Sequence, residues 1–198
     1  MNHSMKKYVA EALGTFGLAF AVTIAAGRGF GLTPLFAGLV LGLFVYTIGS
    51  LSGSHVNPSI TLGLFSLKKI SSRDTICYIA AQAVGAGLAF LAAKAAGVTP
   101  AAAVPAFSWG VLVAEAVGTF FFAFGVAAVA SGRTHAELSG VIVGGSLLSG
   151  IILAGLLGSA GVLNPAVAIP LNMFNLAYVL GPIIGAVIGM QAYKFLHE

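Results

Sequence analysis

Charge is the scarcest commodity in this sequence: 7% of its 198 residues are Asp, Glu, Lys or Arg, against about a quarter in an ordinary soluble domain. A water-soluble shell cannot be built from so few. There is one aspartate, Asp74, and one cysteine, Cys77. A single cysteine excludes an intramolecular disulfide and any Cys-based metal cluster, and its neighbours Ile76, Tyr78 and Ile79 point to a packing role. His3, His135 and His197 fall near ends or loops, so no metal site and no catalytic constellation can be assembled, and no cofactor is expected. The formal charge of +4 comes from basic residues scattered singly or in pairs between long apolar runs. That spacing reads as membrane-edge placement and gives no nucleic-acid surface.

What the chain does have is apolar length, with 59% hydrophobic residues. About 20 apolar helical residues cross a bilayer core, and six runs approach that length: Tyr8 to Ala26, Leu35 to Leu51, Ile76 to Ala96, Phe107 to Ala130, Leu138 to Leu157 and Leu176 to Leu196. The basic start followed by an apolar run resembles a signal peptide, but the run is too long for an h-region and a sister segment recurs mid-chain, so a retained span is expected. Two shorter pieces remain, Pro58 to Leu67 and Pro165 to Phe174. Each is long enough for roughly 15 Å of helix, half a membrane. If each re-enters and leaves on one side, Lys6, Lys7, Lys68, Lys69, Arg73, Arg133 and Lys194 share a side, and Arg28 and Lys94 fall on the other. The basic excess marks the cytoplasmic side, which predicts both termini cytoplasmic.

The chain also repeats itself. Ala10-Glu11-Ala12-Leu13-Gly14-Thr15-Phe16 returns as Ala114-Glu115-Ala116-Val117-Gly118-Thr119-Phe120, Asn57-Pro58-Ser59 as Asn164-Pro165-Ala166, and Tyr78 with Gly85-Ala86 as Tyr178 with Gly185-Ala186. Landmarks in the same order define two repeats, approximately 1–100 and 101–198, within a single membrane domain. An odd number of spans per half requires the second copy to be inverted, which places a permeation or binding site at the midplane. Recurrent glycines such as Gly38, Gly42, Gly85, Gly144 and Gly185 suit close helix approach in lipid.

Both short pieces begin Asn-Pro. Asparagine is a strong N-cap, and proline at the first helical position gives up an N–H that had no intrahelical partner anyway. A helix start carries free N–H groups and about half a positive charge, costly in hydrocarbon unless it faces water or protein. Two such starts at related positions imply a shared polar cavity. Ser52-Gly53-Ser54-His55-Val56-Asn57-Pro58-Ser59-Ile60-Thr61 and Gly161-Val162-Leu163-Asn164-Pro165-Ala166 resemble the two signatures of the aquaporins, or major intrinsic proteins, and the resemblance spans nearly the whole chain. It implies an all-α fold of six transmembrane helices and two re-entrant half-helices in an inverted repeat. It also implies a right-handed bundle with one pore per subunit, a homotetramer, and a plasma (inner) membrane location. Asn57 and Asn164 would each cap a half-helix and turn an amide donor toward the permeant, while the paired helix ends repel cations. Glu11 and Glu115, expensive within spans, match family residues that accept hydrogen bonds from the re-entrant loops. His55 either lines the pore or braces its loop.

The departure from the family pattern concerns its narrowest ring. Most water-selective members have an arginine directly after the second Asn-Pro-Ala; here Val167 stands there. Counting from the two asparagines places Ala37, Ile152 and Gly161 at the other ring positions. A ring of Ala37, Ile152, Gly161 and Val167 is small and apolar, which widens the constriction and withdraws the donors that replace a permeant's lost waters. Inward rotation of Phe36 or Phe44 would re-narrow it. The expected function is a passive channel for water and small uncharged solutes such as glycerol, urea, ammonia, hydrogen peroxide or neutral metalloid hydroxides, with no enzymatic activity. The competing reading is an ion- or proton-coupled transporter with broken helices, for which Glu11 and Glu115 would have to be the coupling groups.

Overall fold

A computed structural model describes residues 3–98 and 105–198. The expected junction between the two repeats, near residue 100, lies outside the described residues. Among the described residues eight α-helices follow in order: α1 His3–Gly27, α2 Thr33–Ser52, α3 Pro58–Ser66, α4 Ser72–Ala95, α5 Trp109–Ala130, α6 Ser139–Leu156, α7 Pro165–Ala168 and α8 Leu176–Phe195, with a 3-10 turn Ala136–Leu138 ahead of α6. Six of them, all but α3 and α7, are long and apolar enough to cross a membrane. Their outward faces are rich in exposed leucine, isoleucine and valine, including Leu39, Leu43, Ile76, Val141 and Ile188. In water that surface would be untenable; in lipid it is the matching solvent.

The correspondence between halves extends to packing. Helix α1 lies on α4 as α5 lies on α8, and the halves meet where α2 crosses α6. Small residues set these distances. A Cβ added at Gly85 would strike the Ala12 carbonyl, and one at Gly185 the Ala116 carbonyl. At the α2–α6 crossing, Gly38 faces the Gly144 backbone and Gly42 faces Gly140. On the side where α1 begins, Lys7 Nζ and Tyr8 Oη donate to the two Asp74 carboxylate oxygens at 2.8 and 2.7 Å, tying α1 to the first turn of α4.

Each stub helix packs on the opposite half as well as its own: α3 contacts α8 and α5, and α7 contacts α1 and α4. The stubs are unequal. The second runs only from Pro165 to Ala168, shorter than the stretch to Phe174 that the sequence suggests. Pro170 is the reason: it has no N–H to donate, and its ring crowds the carbonyl four residues back. Ile169 N–H therefore turns to the Ala166 carbonyl at 3.2 Å, and the chain leaves the helix through Asn172 in the left-handed region (φ 56°).

Candidate functional site

Asn57 and Asn164 adopt extended backbone conformations and cap the two stubs with their side-chain oxygens. Asn57 Oδ1 accepts from Ser59 N–H at 2.8 Å. Asn164 Oδ1 accepts from Ala166 N–H at 3.0 Å and Val167 N–H at 3.4 Å. Proline follows each cap, and α3 and α7 approach one another. The amide nitrogens reach across the repeat: Asn57 Nδ2 donates to the Leu163 carbonyl at 2.9 Å, and Asn164 Nδ2 to the Val56 carbonyl at 3.0 Å. A side-chain amide has two N–H bonds. The cross-link uses one on each asparagine and leaves the other as a donor at the meeting point of the stubs.

The loops ahead of the asparagines cannot be held by regular secondary structure. Ser54 (φ 51°) and Val56 (φ 42°) in the first, and Gly161 (φ 66°) and Leu163 (φ 54°) in the second, alternate into the left-handed region. Such backbone costs about 1–3 kcal/mol per non-glycine residue and persists only when its surroundings over-determine it. The two interior carboxylates supply that constraint. Glu11, fully buried, accepts from Ser52 Oγ at 2.7 Å, His55 N–H at 2.9 Å, Val56 N–H at 2.7 Å and Gln82 Nε2 at 2.8 Å. Glu115, also fully buried, accepts from Ser159 Oγ, Val162 N–H at 2.9 Å and Leu163 N–H at 2.6 Å. All of these bonds run toward carboxyl oxygens.

The His55 ring is held against side chains of α3 and α4. Its Nδ1 lies 3.2 Å from Thr61 Oγ1, and the ring meets Tyr78 edge-to-face with centroids 5.0 Å apart. Tyr78 Oη in turn donates to the Ser52 carbonyl at 2.8 Å. Gln82, Ser52, Ser159 and Thr61 complete this scaffold; Ser52 and Thr61 bound the first signature, but a bracing role was expected for none of the four. A signal for the serines was present, since each lies five residues before its Asn-Pro. Gln82 is a lone amide in an apolar span, which is a signal of the same kind as a buried carboxylate.

Two cavities open on opposite sides of the asparagine pair. The first, about 470 Å³, is bordered by the late turns of α2 at Leu41 and Val45, by α5 at Phe122 and Val126, and by the polar strip Ser52 to His55. The second, about 230 Å³, is bordered by the early turns of α2 at Pro34 and Ala37, by α1 at Leu18 and Val22, by Leu147 of α6, and by Gly161, Asn164 and Val167. Its wall is almost entirely apolar and carries no charged side chain.

Of the four expected ring residues, Ala37, Gly161 and Val167 border this second cavity, and Ile152 does not. Ile152 is 48% exposed on the outer face of α6, and Ile151 takes its place in the cavity wall. The difference has a local cause. Counting back from Asn164 runs through the tight turn at Gly158 (φ 88°), where Ser159 N–H bonds the Ala154 carbonyl. One residue on a helix is about 100° of rotation, enough to exchange cavity wall for outer face. The Ile151 carbonyl sits directly against Gly161, where a Cβ would not fit. Neither phenylalanine re-narrows the space: Phe44 packs over Gly17 of α1, and Phe36 stands 39% exposed with its ring edge-to-face on Phe30. Among the described residues no group of His, Cys, Asp and Glu comes together as a metal site.

Comparison with known proteins bears on the family and the fold. The chain is 33% identical to aquaporin AqpM of Methanothermobacter thermautotrophicus over 96% of its own length and 97% of the relative's. It is 33% identical to aquaporin NIP1-3 of Oryza sativa subsp. japonica over 98% of its length and 77% of that protein. The fold superposes on the X-ray structure of the aquaglyceroporin from Plasmodium falciparum with a TM-score of 0.71, at 21% identity and 96% coverage of both chains. The profile of the major intrinsic proteins matches residues 1–193. With paired Asn-Pro stubs cross-linked between two halves of a six-span bundle, this chain belongs to the major intrinsic protein family, the multi-pass membrane channels known as aquaporins.

Proposed function

We propose that this chain is a passive channel whose permeants extend beyond water to small uncharged solutes, and that its narrowest ring is formed by Ala37, Ile151, Gly161 and Val167. The observation that carries this reading is the wall of the second cavity, where Val167 stands among aliphatic side chains and no charged group is present. A water molecule entering there sheds hydrogen bonds that the wall does not replace, whereas a less polar solute loses less. Asn57 and Asn164 then supply the donors at the midpoint, one free N–H each, and orient whatever hydroxyl, amine or carbonyl passes between them.

The two interior carboxylates favour a channel over a coupled transporter. Glu11 and Glu115 are fully engaged in holding the loops, and a group that cycled through protonation would release those loops at each turn. Stopped-flow swelling of proteoliposomes with water, glycerol, urea and ammonia gradients tests the reading directly. Non-saturating flux of at least one solute other than water, driven by its own gradient with no ion or proton gradient supplied, is the expected result; strict water selectivity would remove the wide-filter assignment. The same reading takes the subunit as one of four, with both termini cytoplasmic. Crosslinking and terminal-tag accessibility in native membranes check those two points, and an exclusively monomeric species or an external terminus would refute them.

A further inference from the structure

Along the walls of the two cavities, one side chain carries a formal charge, and it is Lys69 in the first cavity. Its position is fixed by the way α3 ends. Lys68 adopts the left-handed conformation (φ 58°) and donates its N–H to the Phe65 carbonyl at 2.9 Å, while Lys69 N–H bonds the Leu64 carbonyl at 2.9 Å. This is the paired closure of a Schellman motif. The other stub ends the same way: Asn172 (φ 56°) donates to the Ile169 carbonyl at 3.1 Å, and Met173 N–H bonds the Ala168 carbonyl at 2.9 Å. Lys69 and Met173 therefore occupy equivalent places at the far ends of the two stubs, and each borders the cavity on its own side. One mouth receives an ammonium and the other a thioether.

The ammonium is not neutralised locally. The ion pairs among the described residues are Lys7 with Asp74 and Lys194 with Glu198. Lys69 also borders an adjoining cavity of about 310 Å³ shared with Arg133, Lys194, His197 and Glu198. There the one acidic side chain is paired with Lys194, and the Arg133 guanidinium donates to the His197 carbonyl. A lysine that only marked the cytoplasmic edge need not line any cavity; this one lines the first.

We propose that Lys69 is a charge-selecting residue, which raises the barrier to cations at the mouth of the first cavity while leaving neutral solutes unaffected. The proposal rests on the channel reading above. Because the second cavity has no fixed charge, Lys69 and the stub helix ends are the groups that discriminate against cations, and the barrier is one-sided. Its exposed position also makes it sensitive to ionic strength, since the screening length shortens from about 30 Å at 0.01 M salt to about 3 Å at 1 M.

The test reconstitutes the full chain in liposomes and measures potassium leak and osmotic water flux on the same preparation, for the native protein and for Lys69→Arg, Lys69→Gln and Lys69→Glu. Expected are native leak for Lys69→Arg, about a threefold increase for Lys69→Gln and about tenfold for Lys69→Glu at low salt, the changes set by one and two charge units several ångströms away in water. These differences should shrink toward unity at 1 M salt, with water flux unchanged throughout. If Lys69→Glu conducts water as the native protein does and leaks no more potassium at low salt, the proposal is overturned and the channel reading stands. If the native protein itself passes no water or neutral solute, both fall together.

Discussion

Replacing Glu115 with alanine strands three donors, and the cost can be followed bond by bond. The Ser159 hydroxyl can rotate to another acceptor, but the Val162 and Leu163 N–H groups are fixed by the backbone and buried. Each buried N–H left without a partner costs about 1–3 kcal/mol, so the pair amounts to about 2–6 kcal/mol. Leu163 also keeps its left-handed backbone (φ 54°) with less to hold it there. For a chain of this length about 1 kcal/mol corresponds to 2–4 °C in Tm, which places the expected loss on the order of 10 °C. Glu115→Gln should fall between, because an amide oxygen can still accept while its NH2 confronts the other donor. Intrinsic-fluorescence melting in detergent reads the shift, and water flux in liposomes reads the loop. A Tm for Glu115→Ala within a degree of native would refute the argument that the carboxylate holds the second loop. Native stability with a selective loss of gradient-coupled uptake would instead support a transporter.

Two further outcomes follow from the second cavity. Val167→Arg introduces a guanidinium into an apolar wall and should shift flux toward water at the expense of glycerol or urea; an unaltered solute profile would mean the ring lies elsewhere. Ile151→Trp should obstruct flux because the ring is added to the cavity lining, whereas Ile152→Trp adds it to the outer face of α6 and should leave flux intact. Equal behaviour of the two variants in the swelling assay would contradict the helix register.

Most of the architecture was legible in the residue pattern because the bilayer allows so few solutions. Six apolar runs, two Asn-Pro starts and a repeated Ala-Glu segment leave little freedom, and the stubs lie where those signals fall. Lengths and rotations were less accessible. The early end of α7 depends on Pro170, which lies inside an apolar run that continues past it. The exchange of Ile152 for Ile151 depends on a turn at Gly158 whose geometry no residue count reveals. The bracing by Gln82 and Tyr78 was hidden for a different reason: it joins residues far apart in the chain, and nothing in either local sequence names its partner.

The reciprocal asparagine bonds carry a consequence for assembly during synthesis. Asn57 needs the Leu163 carbonyl and Val56 needs the Asn164 amide, over a hundred residues later in the chain. The leading three spans can thus enter the bilayer while their hairpin is still missing its final fastener, and only arrival of the trailing spans closes it. A protein severed at its middle would yield two fragments, each holding half of a clasp.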